Sequence, residues 1–324
     1  MDNKKVVVFG GGTGLSYLLK GLQKFPIDIT AVITVSDNGR STGKLREEFH
    51  IPAVGDIRHV ITALSDIDEP IKKMMEYRFR TDSDLNGHAL GNLVLTAMLD
   101  INGSLKKSID QLSKLLDVKA TVLPILESRD ITLVGEAEDG TLIEGEEQIT
   151  ESPKKISRLL YKEDPEVLPE VIKAVNRADL IILSMGSLFT SIIPNLIPKE
   201  VTLALEDSKA PIMYVCNAVT QPGETDNFKV SDHLKMLNKY LGKRKVDAVI
   251  ASNSKIDKKI AEKYYTAERK DPVPIDYKEL KKMGVELLED DLIVIEDKMI
   301  RHNSLKLNFL IYGYLMNKCH TQQK

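Results

Sequence analysis

The sequence predicts a doubly wound α/β fold built on a mostly parallel sheet, and three observations carry that prediction. The chain opens with an apolar run, Val6-Val7-Val8-Phe9, that ends abruptly in glycine. Leu15, Leu18, Leu19 and Leu22 then fall at helical spacing, which makes the glycines a strand-to-helix junction. Further short apolar runs alternate with helical patterns through most of the chain, the rhythm of strand–helix–strand units around one sheet.

Each element follows from its residues. A second strand is expected over 28–35, where Ile29, Val32, Ile33 and Val35 supply the apolar face. Later strands are expected at 179–183, 211–215 and 246–250, with a last one at 291–295. Helices are expected between them at 166–177, 231–241 and 256–265, and a C-terminal helix carries Leu305, Phe309, Tyr312 and Met316. Two stretches break the rhythm. Residues 55–116 read as helical throughout, with Leu105, Ile109, Leu112 and Leu116 on one stripe. Residues 120–149 read as extended, with Asp139-Gly140 between short apolar runs as a hairpin signal. No long Pro/Gly/Ser linker separates these segments, so residues 1–324 are expected to form a single compound α/β domain with a helical and a β-hairpin insertion.

Composition narrows the class. With 42% hydrophobic residues the chain has material for a full core, and a net charge of −3 argues against a nucleic-acid-binding surface. Two cysteines far apart, Cys216 and Cys319, form no disulfide framework or zinc motif. The N-terminal apolar run is too short for a signal peptide and no run approaches a membrane span. A cytoplasmic protein is expected.

Chemistry concentrates at the carboxyl ends of the expected strands, where open α/β sheets bind ligands. The loop Gly10-Gly11-Gly12-Thr13-Gly14-Leu15-Ser16 lets backbone N–H groups turn inward at a helix start, a natural anion site. Its spacing fits neither the dinucleotide fingerprint nor a P-loop; the alternative is a glycine turn that merely packs helix on strand. The next loop, Ser36-Asp37-Asn38-Gly39-Arg40-Ser41-Thr42-Gly43-Lys44, combines hydroxyls, cations and an acid that can accept from a ribose or base. An ordinary solvated loop explains it equally well. Gly186-Ser187 opens a further strand–helix junction, but without the second glycine of a nucleophile elbow Ser187 is not read as a nucleophile. Asn217, Thr220, Gln221, Glu224, Thr225 and Asp226 form a densely polar loop suited to ligand recognition. Gly91-Asn92 within a helix points to close backbone approach or a buried polar contact, and Arg301 can bring a forked donor to the same sheet edge. No histidine stands in a metal-ligand spacing, and Cys216 reads as a small apolar filler.

These blocks, together with Gly55-Asp56-Ile57-Arg58, residues 88–93 and Ser231-Asp232-His233, resemble the YvcK-type gluconeogenesis factors, relatives of the CofD-like 2-phospho-L-lactate transferases. The resemblance runs in one order over most of the chain. Where many relatives read Asp-Asp-Gly-Gly, this chain has Asn38 for the second Asp and Arg40 for a Gly. The resemblance implies a Rossmann-like fold and a nucleotide or nucleotide-sugar ligand at the sheet edge. On that basis Gly11, Gly12, Thr13, Gly14, Leu15, Asp37, Asn38, Arg40, Ser41, Lys44, Asn92, Gly186, Ser187, Asn217, Thr220, Gln221, Glu224, Thr225, Asp226 and Arg301 are the expected ligand-binding residues. No resident metal is expected. It further implies a UDP-sugar-binding regulator that sustains cell shape and wall synthesis during gluconeogenic growth, acting through protein partners, with a homo-oligomer left open. The competing class is a transferase moving a phospho-group from a nucleotide-linked donor, in which magnesium would take part.

Overall fold

A computed structural model describes residues 3–321 apart from 130, 257–261, 263–264, 267 and 297–298. Its centre is a seven-stranded sheet in which every pairing is parallel. The strands are β1 (Lys4–Gly10), β2 (Ile27–Ile33), β3 (Thr121–Pro124), β7 (Leu180–Leu183), β8 (Ile212–Val215), β9 (Ala248–Ser252) and β10 (Glu286–Asp290). Their spatial order is β3-β2-β1-β7-β8-β9-β10, so the chain winds outward one way from β1 and the other way from β7. The expected doubly wound, Rossmann-like α/β fold is therefore present. Continuous apolar strands mark it: Val6 to Phe9 and Leu180 to Leu183 are each at most 2% exposed, as a sheet covered on both faces demands.

Helices cover the two faces: α1 (Gly12–Leu22), α2 (Arg40–Phe49), α3 (Gly55–Leu64), α4 (Glu69–Glu76), α5 (Leu90–Asn102) and α6 (Leu105–Leu115) come before β3. The apolar stripe of α6 is buried as expected. The 55–116 stretch is not helical throughout, however. Residues 77–89 form a loop closed by an Arg78–Ala89 bridge, because Thr81, Asp82, Ser83, Asp84, Asn86 and Gly87 favour local turns over helix. His88 thus lies in this loop, just before α5.

The second insertion also differs from expectation. Thr121–Pro124 belongs to the main sheet as its edge strand. The insertion proper is an antiparallel sheet of β4 (Leu133–Ala137), β5 (Leu142–Glu144) and β6 (Ile156–Tyr161), with β4 in the middle. The expected Asp139-Gly140 hairpin joins β4 to β5. A short helix, α7 (Glu146–Glu151), interrupts the stretch expected to be extended, while β6 lies beyond it.

After β6 come α8 (Pro169–Asn176), a π-helical turn (Leu188–Ile192), α9 (Lys199–Asp207), α10 (Val230–Asn238) and α11 (Tyr277–Met283). The helix expected over 256–265 falls largely outside the described residues. The expected last strand, β11 (Ile293–Glu296), pairs only with β12 (Met299–His302) and stands apart from the main sheet. The main sheet instead ends on β10, whose two leucines between acids give too short an apolar run to read in advance. In the C-terminal helix α12 (Ser304–Thr321) the anticipated stripe faces outward: Leu305 and Phe309 are 64% and 58% exposed, while Leu307, Ile311, Tyr314 and Leu315 enter the core.

Candidate functional site at the switch point

The winding direction reverses between β1 and β7, and the crevice at the carboxyl ends of these neighbours is where doubly wound folds admit ligands. There Gly11 is extended and Gly12, at φ +60°, turns the chain into α1. The N-cap Gly11 has no side chain to cap this helix; the Asp56 carboxyl meets the Gly12 N–H, and the N–H groups after it keep their capacity to meet an anion. Gly14 is required for another reason: a Cβ on it would collide with the Met185 carbonyl of the loop after β7. Leu15 is fully buried and anchors the helix behind the loop.

Two cavities flank this helix start. The first, about 660 Å³, is walled by the glycine loop, Met185 to Ser187, Asn217 to Pro222, Lys270, Ile300 and His302. The second, about 470 Å³, is bordered by Asp37, Ser41, Asp56, Arg58, Arg78, Asn92 and Glu146 among others. Gly12, Thr13 and Thr150 border both. The glycine loop is thus a ridge between two spaces of different chemistry.

The first cavity is framed by hydrogen bonds that lock one loop to the next. Asn217 accepts from the Gly186 N–H at 3.0 Å and donates to the Gly186 carbonyl at 2.8 Å. Ser187 Oγ donates to Glu224 Oε2 at 2.7 Å while accepting from Thr190. Gln221 Nε2 donates to the other Glu224 oxygen at 2.8 Å. Burial, opposed by the Ser187 bond, raises the Glu224 carboxyl to about 7. Thr220 Oγ1 accepts from the Asp271 N–H and Thr225 Oγ1 from the Gln221 N–H. His302 Nε2 donates to the Cys216 carbonyl, 3.1 Å away, and burial lowers the imidazole to about 4, so it is neutral at pH 7. Cys216 itself is buried, which pushes its thiol to about 12.

The second cavity is strongly charged. Asp56, on the first turn of α3, lies beside the glycine loop. Burial first, then the neighbouring Asp37 and Glu146, raise its carboxyl to about 7, against lowering by the Gly12 N–H and Arg58. Burial raises Glu146 as well. A chain of side chains closes the floor: Arg58 Nε donates to Asn92 Oδ1 at 3.0 Å, Asn92 Nδ2 to Ser41 Oγ at 3.2 Å, and Ser41 meets His88 Nδ1 at 3.0 Å. The buried polar contact expected of Asn92 is this one.

The structure brings together Gly11, Gly12, Thr13, Gly14, Gly186, Ser187, Asn217, Thr220 and Gln221 around the first cavity, and Asp37, Ser41 and Asn92 around the second. Glu224 and Thr225 stand behind the first wall as its supports, and Asp226 accepts from the Gly223 N–H at the exposed edge. Asn38 faces α7, accepting from the Glu147 N–H and donating to Gln148. Lys44 is exposed and borders neither cavity. The side chain of Arg40 lies outside the described residues. Arg301 does not follow the last strand but sits within β12, where alternation turns it to solvent and turns Ile300 and His302 toward the first cavity. Sequence reasoning missed Arg58, Arg78, Glu146, Thr150 and His302 as cavity residues. Arg78, Glu146 and Thr150 come from the two insertions, where no strand-end pattern marks them. Among the described residues no group of three His, Cys, Asp or Glu side chains is arranged to hold a metal ion.

The family model for 2-phospho-L-lactate transferase CofD matches residues 6–293. The chain belongs to this family. Within it, the chain is 42% identical over 309 residues to a protein named gluconeogenesis factor from Halalkalibacterium halodurans, covering 95% of each. It is 41% identical over 312 residues to the gluconeogenesis factor of Bacillus subtilis, covering 96% of this chain and 98% of that one. A crystal structure of a Bacillus halodurans protein of the UPF0052 family superposes with a TM-score of 0.92 at 41% identity, covering 95% of this chain and 99% of that one. The resemblance expected from the motif blocks is thereby established. No helix among the described residues is long and apolar enough to cross a membrane.

Proposed function

We propose that this protein binds a nucleotide sugar of the UDP-sugar type and acts as a regulatory factor, supporting cell shape and wall synthesis during gluconeogenic growth. One observation carries the binding part: two cavities meet on a glycine-rich helix start at the sheet's switch point. A diphosphate on the Gly12–Thr13 ridge leaves one space for a nucleoside and another for its head group. The neutral donors and acceptors of Asn217, Thr220 and Gln221 suit a base or ribose. The regulatory part follows the name carried by the relatives. It is supported at the first cavity, where the Ser187 hydroxyl is committed to Glu224 behind the wall.

The transferase reading rests on the family description and on Asp56, a carboxyl near neutrality beside the glycine loop, as general acid–base chemistry would use. One experiment separates the two. UDP-glucose, UDP-N-acetylglucosamine, GDP, GTP and NAD are titrated calorimetrically into the purified protein, and the samples are analysed for products with and without magnesium. The expected result is binding of the UDP-sugars and their recovery unchanged. Folded Gly12→Val protein should bind none of them, because a β-branched residue cannot hold φ +60° without distorting the ridge. Absence of UDP-sugar binding refutes the reading, and steady turnover restores the transferase.

A further inference from the structure

Arg58 borders the second cavity with most of its donors unused. Its side chain is only 6% exposed, and Nε alone is hydrogen-bonded, to Asn92. Among the described residues its terminal guanidinium nitrogens have no hydrogen-bond partner and no carboxylate within ion-pair distance. Burial first, then repulsion from Arg78, lower its affinity for a proton, against the attraction of Glu76 and Asp56. The arrangement is built and not accidental: a Cβ on Gly91 would lie 2.8 Å from Arg58 Cγ, so the glycine makes the channel through which the side chain reaches the second cavity. The fork opens onto the second cavity, so its unused donors are available to an acceptor that arrives there.

The rest of that cavity says which acceptor. Five carboxylates and two guanidinium groups border it, together with Thr13, Ser41 and Thr42. The acidic excess disfavours a second anion. Hydroxyl groups, which donate and accept at once, satisfy both kinds of wall. We propose that the second cavity is a subsite for an uncharged, polyhydroxylated head group, accepting from Arg58 and donating to the carboxylates carried by α7 and α3. The inference rests on the nucleotide-sugar reading above, since the Gly12–Thr13 ridge must hold the diphosphate for the head group to arrive there. At about 470 Å³ the cavity has room for a hexose. The helix α7, tied to the loop after β2 through Asn38, forms its acidic roof.

The test titrates UDP, UDP-glucose and UDP-glucuronate into the parent, Arg58→Lys and Glu146→Gln proteins. The parent should bind UDP-glucose at least tenfold more tightly than UDP, and UDP-glucuronate at least tenfold more weakly than UDP-glucose. Arg58→Lys keeps the charge but loses the fork, and Glu146→Gln keeps the shape but loses the strong acceptor. Each should lower affinity for UDP-glucose about tenfold and leave that for UDP within twofold. Glu146→Gln, on a partly exposed helix, carries the test if Arg58→Lys does not fold. Equal losses for UDP and UDP-glucose, no loss for either, or a preference for UDP-glucuronate overturns the subsite while leaving nucleotide binding intact. A parent protein that binds no UDP at all refutes the nucleotide reading itself, and the subsite with it.

Discussion

Replacing Asp56 with asparagine tests the electrostatics of the ridge. In the folded protein its carboxyl rises from an ordinary 3.8 to about 7, so ionising it there costs up to roughly 4 kcal/mol relative to the unfolded chain. The sign follows from proton counts. Between pH 4 and pH 7 the folded state holds a proton that the unfolded state has released, so stability falls as pH rises through this window and stays low above it. Asp56→Asn removes the ionisation and keeps the shape. Parent and variant should therefore melt together near pH 4, and the variant should be more stable by several degrees at pH 8. Glu224 is also raised to about 7 by burial; its slope is common to both proteins and cancels in the difference. Calorimetric melting from pH 4 to pH 8.5 measures this directly. Affinity for UDP-glucose, whose diphosphate charge is constant over the range, should weaken from pH 6 to pH 8 in the parent and change little in the variant, since the ionised carboxylate stands beside the anion. A variant-minus-parent difference in melting temperature that does not vary with pH would refute the reasoning, because Asp56 would then ionise normally.

Arg301 faces solvent from β12 and borders neither cavity, so Arg301→Ala should bind UDP-glucose as the parent does; a tenfold loss measured by calorimetry would place the side chain at the ligand after all. Asn217→Ala breaks both bonds to Gly186 and should destabilise the protein by about 1–3 kcal/mol in denaturant unfolding, with weaker nucleotide binding, because the loops after β7 and β8 lose their common tie.

Much of the fold was legible because burial leaves a local trace. Val6 to Phe9 and Leu180 to Leu183 are continuous apolar runs since parallel strands are covered on both faces. Leu105, Ile109 and Leu112 repeat at helical spacing because one side of α6 meets the core. The reading failed where a local pattern was weak or ambiguous. Glu286–Asp290 offers only two leucines, and α12 carries apolar residues on both sides, so that the wrong stripe looked like the buried one. At the site, the glycine loop and the loops beginning at Gly186 and Asn217 were readable because glycine and dense polarity at strand ends are themselves sequence signals.

The sequence by itself determined the parallel α/β sheet, the position of the glycine ridge and the family to which the chain belongs. These depend on contiguous residues, whose hydrophobic period and backbone freedom are written locally. Only the tertiary structure decided that the ridge divides two cavities, that Arg58 reaches one of them across Gly91, and that Glu146 and Thr150 of the hairpin insertion close over it. It also left Arg301 exposed on β12 and placed His302 in the wall of the first cavity. Such partnerships join residues far apart in the chain through helix packing and strand alternation, and no local pattern of residues encodes them.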